Sequence, residues 1–226
     1  LINNKMKVFV FLICSSFLVI LIFGILIYDV NGGKKNEKKH SIEICCSWGE
    51  ALGDGELTYR ISGGNSDVRE AVRSAASEWD SNIENLVLKE DKEDHGSVDI
   101  NIKFEKDGDD ISNKKTKRGL TTAGISKYEL DWRGLIENVR IAIAKGTDDQ
   151  EFSPKDIQLI TEHELGHALG IGHANFKASL MSPTIGNDRP RMISECEIEG
   201  VLSANAWKLK SDSNNPSFTS DKKVYC

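Results

Sequence analysis

One stretch of this sequence decides the fold: His163-Glu164-Leu165-Gly166-His167-Ala168-Leu169-Gly170-Ile171-Gly172-His173. On a helix, His163 and His167 lie four residues apart and project from one face, where both imidazoles can bind one metal ion. Gly170 lets the backbone leave the helix, so that His173 can supply a third nitrogen. Three such ligands with one open position are typical of a catalytic zinc. Glu164, beside the first ligand, points towards that position and can accept a proton from water there.

The length of this motif separates it from a chance match. A bare H-E-x-x-H occurs on many amphipathic helices, whereas the longer form fixes three histidines, the glutamate and the exit glycine. Met181 follows His173 by eight residues, in the run Ser179-Leu180-Met181-Ser182-Pro183. With this methionine turn the pattern resembles the metzincin signature, and the Leu-Met-x-Pro turn is most similar to that of the matrixin branch.

The resemblance implies a fold and an activity. The expected fold is α+β, with a twisted, mixed five-stranded sheet, an active-site helix, a methionine turn and a C-terminal helix. The expected activity is that of a zinc-dependent endopeptidase acting on protein or peptide substrates. Its one catalytic zinc would be held by His163, His167 and His173, with Glu164 as the catalytic base. Met181 would lie beneath the metal without binding it.

Two other functions stay open at this point. A non-catalytic, zinc-stabilised surface module that binds peptides or proteins needs no general base, so the presence of Glu164 favours an enzyme. A metallohydrolase acting on a non-peptide bond would use the same metal ligands. A candidate substrate-pairing strand argues against that third function.

That strand is predicted at residues 119–125, Gly-Leu-Thr-Thr-Ala-Gly-Ile. By resemblance it is the edge strand that lines the cleft, and an unpaired edge offers N–H and C=O groups to an extended peptide. The resemblance also implies that the chain from Pro183 to Pro190 forms the wall of the pocket for the side chain just after the scissile bond. The predicted substrate-binding residues are Leu120, Thr121, Thr122, Ala123, Gly124 and Pro183.

Alternation and capping patterns predict the other elements. Ser66 is the expected N-cap of a first helix, whose apolar stripe places Trp79 in the core. Ser153, followed by Pro154, predicts the start of the helix that carries the motif, over residues 154–169. Ser194 caps a last helix, with Glu197 three residues on. The remaining predicted strands are residues 57–61, 86–88, 98–104 and 139–143.

The chain departs from the vertebrate matrixins in its histidine content. Those enzymes carry a second, structural zinc held by several histidines, whereas only His40 and His95 remain here outside the motif. One zinc is therefore expected. Asp107, Asp109 and Asp110 offer hard oxygens that suit calcium, but a solvated acidic loop is the favoured interpretation of these three residues.

The N-terminal part contains an uncharged apolar run, residues 8–28, that is long enough to cross a bilayer as a helix. A cleaved signal peptide is the alternative, because Lys5 and Lys7 form a basic start, but no small-x-small cleavage site follows the run. Lysines after the run outnumber those before it, which favours an inside position for the domain. The cysteines favour the opposite side.

Four of the five cysteines lie outside the apolar run, at Cys45, Cys46, Cys196 and Cys226. An even number suggests disulfides and therefore an extracellular domain on a single-pass anchor in the cell membrane, with secretion after cleavage as the alternative. Cys196 pairing with Cys226, either of them pairing with the Cys45–Cys46 pair, and four free thiols all stay open.

The chain thus divides into a short N-terminal segment, a membrane anchor, a polar tether, a metallopeptidase domain and a flexible C-terminal tail. The predicted boundaries are 1–7, 8–28, 29–44, 45–209 and 210–226. A net charge of −6, without a cluster of Lys and Arg in the globular part, argues against a nucleic-acid partner. The sequence carries no indication of an oligomeric state.

Overall fold

The computed structural model describes residues 39–93, 96–105, 122–147, 150–184 and 192–226. The strands are β1 (Ser41–Ile44), β2 (Glu56–Ser62), β3 (Val87–Glu90), β4 (Ile100–Glu105), β5 (Gly124–Leu130), β6 (Ile136–Ala144), β7 (Ile171–Ala174) and β8 (Lys223–Tyr225). The helices are α1 (Ser66–Asn82), α2 (Pro154–Ala168), α3 (Glu195–Ala204) and α4 (Ala206–Leu209), and Glu50–Leu52 forms a single 3-10 turn.

Five strands form the main sheet, in the order β3-β2-β4-β6-β5. The first four run parallel to one another and β5 runs antiparallel to β6, which confirms the predicted mixed five-stranded sheet. Parallel neighbours need a crossover connection, and α1 supplies it between β2 and β3. In β4, alternate residues Ile100, Ile102 and Phe104 are buried, as the period of a strand with one core face requires.

The N-cap of α1 differs from the prediction by one residue. Asn65, with extended backbone, accepts a hydrogen bond from the Val68 N–H through its side chain at 3.0 Å, and Ser66 is the first helical residue. The Ser66 hydroxyl instead bonds the neighbouring Asp67 carboxylate. Both residue types suit a cap, and the glycines at 63 and 64, both with positive φ, turn the chain so that Asn65 takes the position.

The helix that carries the motif begins as predicted. Ser153 and Asp156 form a capping box, Pro154 occupies the first turn, and α2 ends at Ala168. Its neighbour α1 packs against it through Trp79, which is fully buried. The Trp79 indole N–H donates to the carbonyl of Glu162 at 2.9 Å. Trp79 is therefore a core residue, as predicted, and it joins the two helices directly.

Replacing Trp79 with alanine is expected to lower the free energy of unfolding by about 3–5 kcal/mol, because a large buried aromatic and its hydrogen bond are lost together. Trp132 is the matched control, since its side chain is 92% exposed. The Trp132→Ala variant should stay within about 0.5 kcal/mol of the parent. Urea unfolding followed by circular dichroism measures both, and equal losses would show that the packing between α1 and α2 has been misjudged.

A second, three-stranded sheet has the order β7-β1-β8. Both of its outer strands run antiparallel to β1. The predicted tether, residues 29–44, and the predicted flexible tail, residues 210–226, therefore each contribute a strand to the folded unit that extends from His40 to Cys226. Ile42 explains the difference, because it is fully buried and so fixes a segment that reads as polar overall.

Two disulfides are present among the described residues. Cys196 pairs with Cys226, which was one of the open possibilities, and Cys45 pairs with its neighbour Cys46. The first bridge joins the start of α3 to the end of β8 and so holds the C-terminal segment on the domain.

The predicted membrane anchor, residues 8–28, lies outside the described residues. Within the described ranges, the helices are too short or too polar to cross a bilayer. The anchor and the extracellular location both stay predictions.

Candidate active site

Three histidines meet at the C-terminal end of α2. His163 and His167 project from one face of the helix with ring centroids 4.7 Å apart, and His173 joins them from β7. One nitrogen from each of the three rings lies within 4.8 Å of the others. Gly170 makes this turn possible, because its φ is 100° and a β-carbon there would lie 2.5 Å from the Cys46 carbonyl oxygen. The predicted ligand set is thus brought together.

Hydrogen bonds fix the orientation of two of the rings. The Nδ1 of His163 lies 2.8 Å from the carbonyl oxygen of Leu180, and the Nδ1 of His167 lies 2.9 Å from that of Ile171. Since a carbonyl oxygen only accepts, each Nδ1 carries a proton, and in a neutral ring Nε2 is then the nitrogen that can bind a metal ion. Burial, together with the neighbouring His163, lowers the pKa of His167 to about 3, so this ring is neutral at physiological pH. A neutral imidazole whose Nδ1 donates to a backbone carbonyl fits a zinc ion.

Glu164 directly follows His163 in α2, and its side chain is almost fully buried. Burial raises its pKa to about 7, and a hydrogen bond from the Ser126 hydroxyl, with Oγ 2.7 Å from Oε2, acts in the opposite direction. A carboxylate with a pKa near neutrality can both accept and return a proton. The site therefore contains a group suited to proton transfer next to a set of metal ligands.

A methionine turn closes the cluster from below. Met181 is fully buried, and its sulfur lies 2.5 Å from the point where a β-carbon on Gly166 would be. The Met181 N–H donates to the Ser179 hydroxyl oxygen at 2.9 Å, and that hydroxyl donates to Glu197 at 2.5 Å. Met181 thus packs against Gly166 of α2, the residue before His167 in sequence.

A family model described as matrixin matches residues 47–203. The chain belongs to the matrixin family. Human matrix metalloproteinase-19 is 29% identical to this matrixin over 140 residues, which cover 59% of the chain and 26% of that protein. Metalloendoproteinase 5-MMP of Arabidopsis thaliana is 38% identical over 47 residues, which cover 20% of the chain and 13% of that protein. The chain therefore spans about a quarter or less of the length of these two relatives.

Membership of the family confirms the resemblance drawn from the motif and the methionine turn. The mixed α+β architecture fits a matrixin domain, and the three-histidine cluster agrees with the zinc that the family implies. At the coarse level, the family and the cluster support a zinc-dependent peptidase. The part played by each residue is a matter for the proposal below.

The residues predicted to bind substrate in this matrixin are placed in part. Gly124 begins β5 and lies against Glu164, since a β-carbon on Gly124 would be 2.6 Å from Oε1. Thr122 and Ala123 precede the strand, and Pro183 is exposed just after the methionine turn. Leu120 and Thr121 lie outside the described residues. Within the described residues the strand runs over 124–130, with Thr122 and Ala123 before it, so it overlaps the predicted strand at Gly124 and Ile125.

One of the remaining histidines and aspartates considered in the sequence is described by the structure. His40 stacks on Phe176 with ring centroids 4.4 Å apart. His95 and the three aspartates considered for calcium, Asp107, Asp109 and Asp110, lie outside the described residues. Calcium binding therefore stays a prediction without structural support.

Three residues near the site were not identified from the sequence as part of it. Ser126 and Tyr128 follow Gly124 at a spacing of two, and the Tyr128 hydroxyl donates to the His167 carbonyl at 3.2 Å. Alternate residues of a strand share one face, so a prediction that placed β5 at residues 124–130 would have put Ser126 and Tyr128 on the same face as Gly124. Glu197 is fully buried and joins its own cap, Ser194, to the methionine turn. The capping pattern predicted the bond to Ser194, but no sequence signal pointed to the bond across to Ser179.

Proposed function

We propose that this matrixin is a zinc-dependent endopeptidase that hydrolyses peptide bonds in protein substrates. The observation that carries the proposal is a cluster of three histidines with the buried Glu164 next in sequence to His163. A purely structural zinc is closed by four protein ligands, whereas the part of the chain that the structure describes brings three to this cluster, which would leave one position for water. The printed names of both relatives, a metalloproteinase and a metalloendoproteinase, support the same class of reaction.

The residues of the site divide the chemistry among them. A zinc ion held by the three histidines would polarise the scissile carbonyl and lower the pKa of water towards neutrality. Glu164 accepts a proton from the attacking water and delivers it to the leaving amine nitrogen. The carbonyls of Leu180 and Ile171 hold the rings of His163 and His167 through Nδ1, so that Nε2 of each ring is the nitrogen offered to the metal. No side chain of the protein has to act as a nucleophile.

An extended polypeptide is the substrate that best suits the cleft. Among the described strands, β5 lies at the edge of the main sheet and pairs with β6 alone. Such an edge can pair with a peptide backbone, which would place a peptide bond next to Glu164 at the level of Gly124. Pro183 is proposed to belong to the wall of the pocket for the side chain after the scissile bond, and residues 185–190 of the predicted wall lie outside the described residues. A non-peptide substrate would make no use of this edge.

Zinc content and cleavage of a mixed peptide library, both measured on the purified chain, test the proposal. We expect about one zinc ion per chain, loss of cleavage after chelation, and recovery when zinc is returned. Magnesium is the control ion and should not restore cleavage, because imidazole nitrogens suit zinc and oxygen ligands suit magnesium. A chain that binds zinc stoichiometrically yet cleaves no peptide would contradict the proposal and favour a non-catalytic binding module.

A further inference from the structure

One face of β5 contacts the active-site helix α2 at Glu164. The Ser126 hydroxyl oxygen lies 2.7 Å from Glu164 Oε2 and 3.1 Å from the Glu164 carbonyl oxygen. A hydroxyl has one proton, and the shorter contact to a charged acceptor is the stronger bond. Within the described ranges, Ser126 is the only side chain that donates a hydrogen bond to this carboxylate.

The residue two positions earlier on the same face leaves space for the same carboxylate. A β-carbon on Gly124 would lie 2.6 Å from Oε1, 2.7 Å from Cγ and 2.9 Å from Cδ of Glu164. Real side chains do not approach so closely, so any larger residue would push the carboxylate away from the strand. Glycine is required here for space, and the Glu164 side chain lies flat against β5.

The residue two positions after Ser126 fixes the distance between strand and helix. The Tyr128 hydroxyl donates to the His167 carbonyl at 3.2 Å, one turn beyond Glu164 along α2. Ser126 is therefore set between a tight contact at Gly124 and a hydrogen bond at Tyr128.

We infer that Ser126 is a positioning residue for hydrolysis: its hydroxyl holds Oε2 of Glu164, so that the carboxylate keeps the orientation in which it exchanges protons with water. The inference rests on the proposed function. A glutamate side chain has three rotatable bonds, and a buried carboxylate without a donor would lose both its orientation and the stabilisation of its charge. Ser126 supplies that donor from a rigid strand, which is a better support for precise geometry than a loop.

A merely structural role for Ser126 has a different signature. If the hydroxyl only joined β5 to α2, its loss would shift the edge strand that is proposed to pair with the substrate. The Michaelis constant would then rise. A positioning role acts on the reacting carboxylate and lowers kcat with little change in KM.

The experiment compares Ser126→Ala, Ser126→Thr and the parent for kcat, KM and zinc content. We expect kcat of the alanine variant to fall about 10- to 100-fold, as for loss of a hydrogen bond to a charged group, with KM within about twofold. Threonine keeps the hydroxyl and suits a strand, so it should recover most of the rate. Ser81→Ala is the matched control, because its exposed hydroxyl bonds only the Glu78 carbonyl, in its own helix α1, and should leave kcat unchanged.

Binding of a phosphinic peptide, whose tetrahedral acid imitates the transition state, supplies a second readout that does not depend on turnover. Its affinity should fall about 10- to 100-fold in Ser126→Ala and show no further fall when Ser126→Ala is added to Glu164→Ala, which has no carboxylate for the hydroxyl to hold. An active parent whose kcat is unaffected by Ser126→Ala, or an equal fall in the Glu164→Ala background, would overturn the inference alone. A zinc-loaded parent without peptidase activity would overturn the proposed function, and with it the inference.

Discussion

Replacing Glu164 with glutamine is expected to lower kcat about 1000-fold while the zinc content stays unchanged, because a positioned general acid–base group contributes on the order of 10²–10⁴ in rate. Glutamine has nearly the same shape, and its amide oxygen can still accept the hydrogen bond from Ser126. The amide cannot take a proton from water. The loss should therefore appear in kcat, and KM should change little.

Glu162 offers a matched control for this prediction. It lies two residues away on the same helix and is almost as buried, with its carboxylate accepting a hydrogen bond from the Gln158 amide at 2.8 Å. Burial also raises the pKa of Glu162, so both carboxyl groups are poorly solvated. Steady-state kinetics and zinc analysis of Glu162→Gln should match the parent. A similar loss of rate in both variants would mean that Glu164 supports the helix and does not exchange protons with the substrate.

Local signals in the sequence were sufficient for the elements that position the site. The Ser153–Asp156 capping box with Pro154 predicted the start of α2, and the structure places it there. These groups contact one another within a few residues, so their chemistry can be read without the fold. The first helix shows the limit of this approach, since Asn65 and Ser66 are equally good caps and only the turn before them selects between the two.

The three-stranded sheet was beyond such local signals. β1 and β8 are short and polar, and they are far apart in the chain, yet Ser41 pairs with Tyr225 in one ladder. Burial of Ile42 against the domain and the Cys196–Cys226 bridge hold them in place. Neither a three-residue strand nor a disulfide pairing is specified by periodicity or spacing. For this reason the sequence predicted a tether and a flexible tail in the two segments where the structure has β1 and β8.

The residues of the site also fall into those that the sequence predicted and those that only the fold reveals. The spacing of the three histidines and Glu164 is local, and the structure brings the histidines together with Glu164 beside them. The groups that orient them come from elsewhere in the chain: Ser126 lies 38 residues before Glu164, and the Leu180 carbonyl lies 17 residues after His163. A motif thus identifies the groups that react, whereas the groups that hold them in register appear only once strand and helix are packed together.

The second large effect is expected at His163. Replacing it with alanine removes one of three ligand nitrogens, and loss of even an outer partner of a metal ligand costs about 10- to 100-fold in affinity, so zinc affinity should fall by more than about 100-fold. Peptidase activity should fall with it, because a chain without zinc has no means to polarise the carbonyl. Zinc analysis after dialysis against a weak chelator, followed by a cleavage assay, measures both.

His40 is the control for this prediction, because it is a described histidine outside the three-histidine cluster. It lies at the start of the folded unit and stacks on Phe176. His40→Ala should retain zinc and activity. His163→Ala also leaves the Leu180 carbonyl without its donor, which costs some stability whether or not a metal is bound. The fraction of unfolded protein is therefore measured from unfolding curves of the metal-free proteins. If His163→Ala binds zinc as tightly as the parent and loses activity only in proportion to its unfolded fraction, His163 is a structural residue. The proposed ligand set is then wrong.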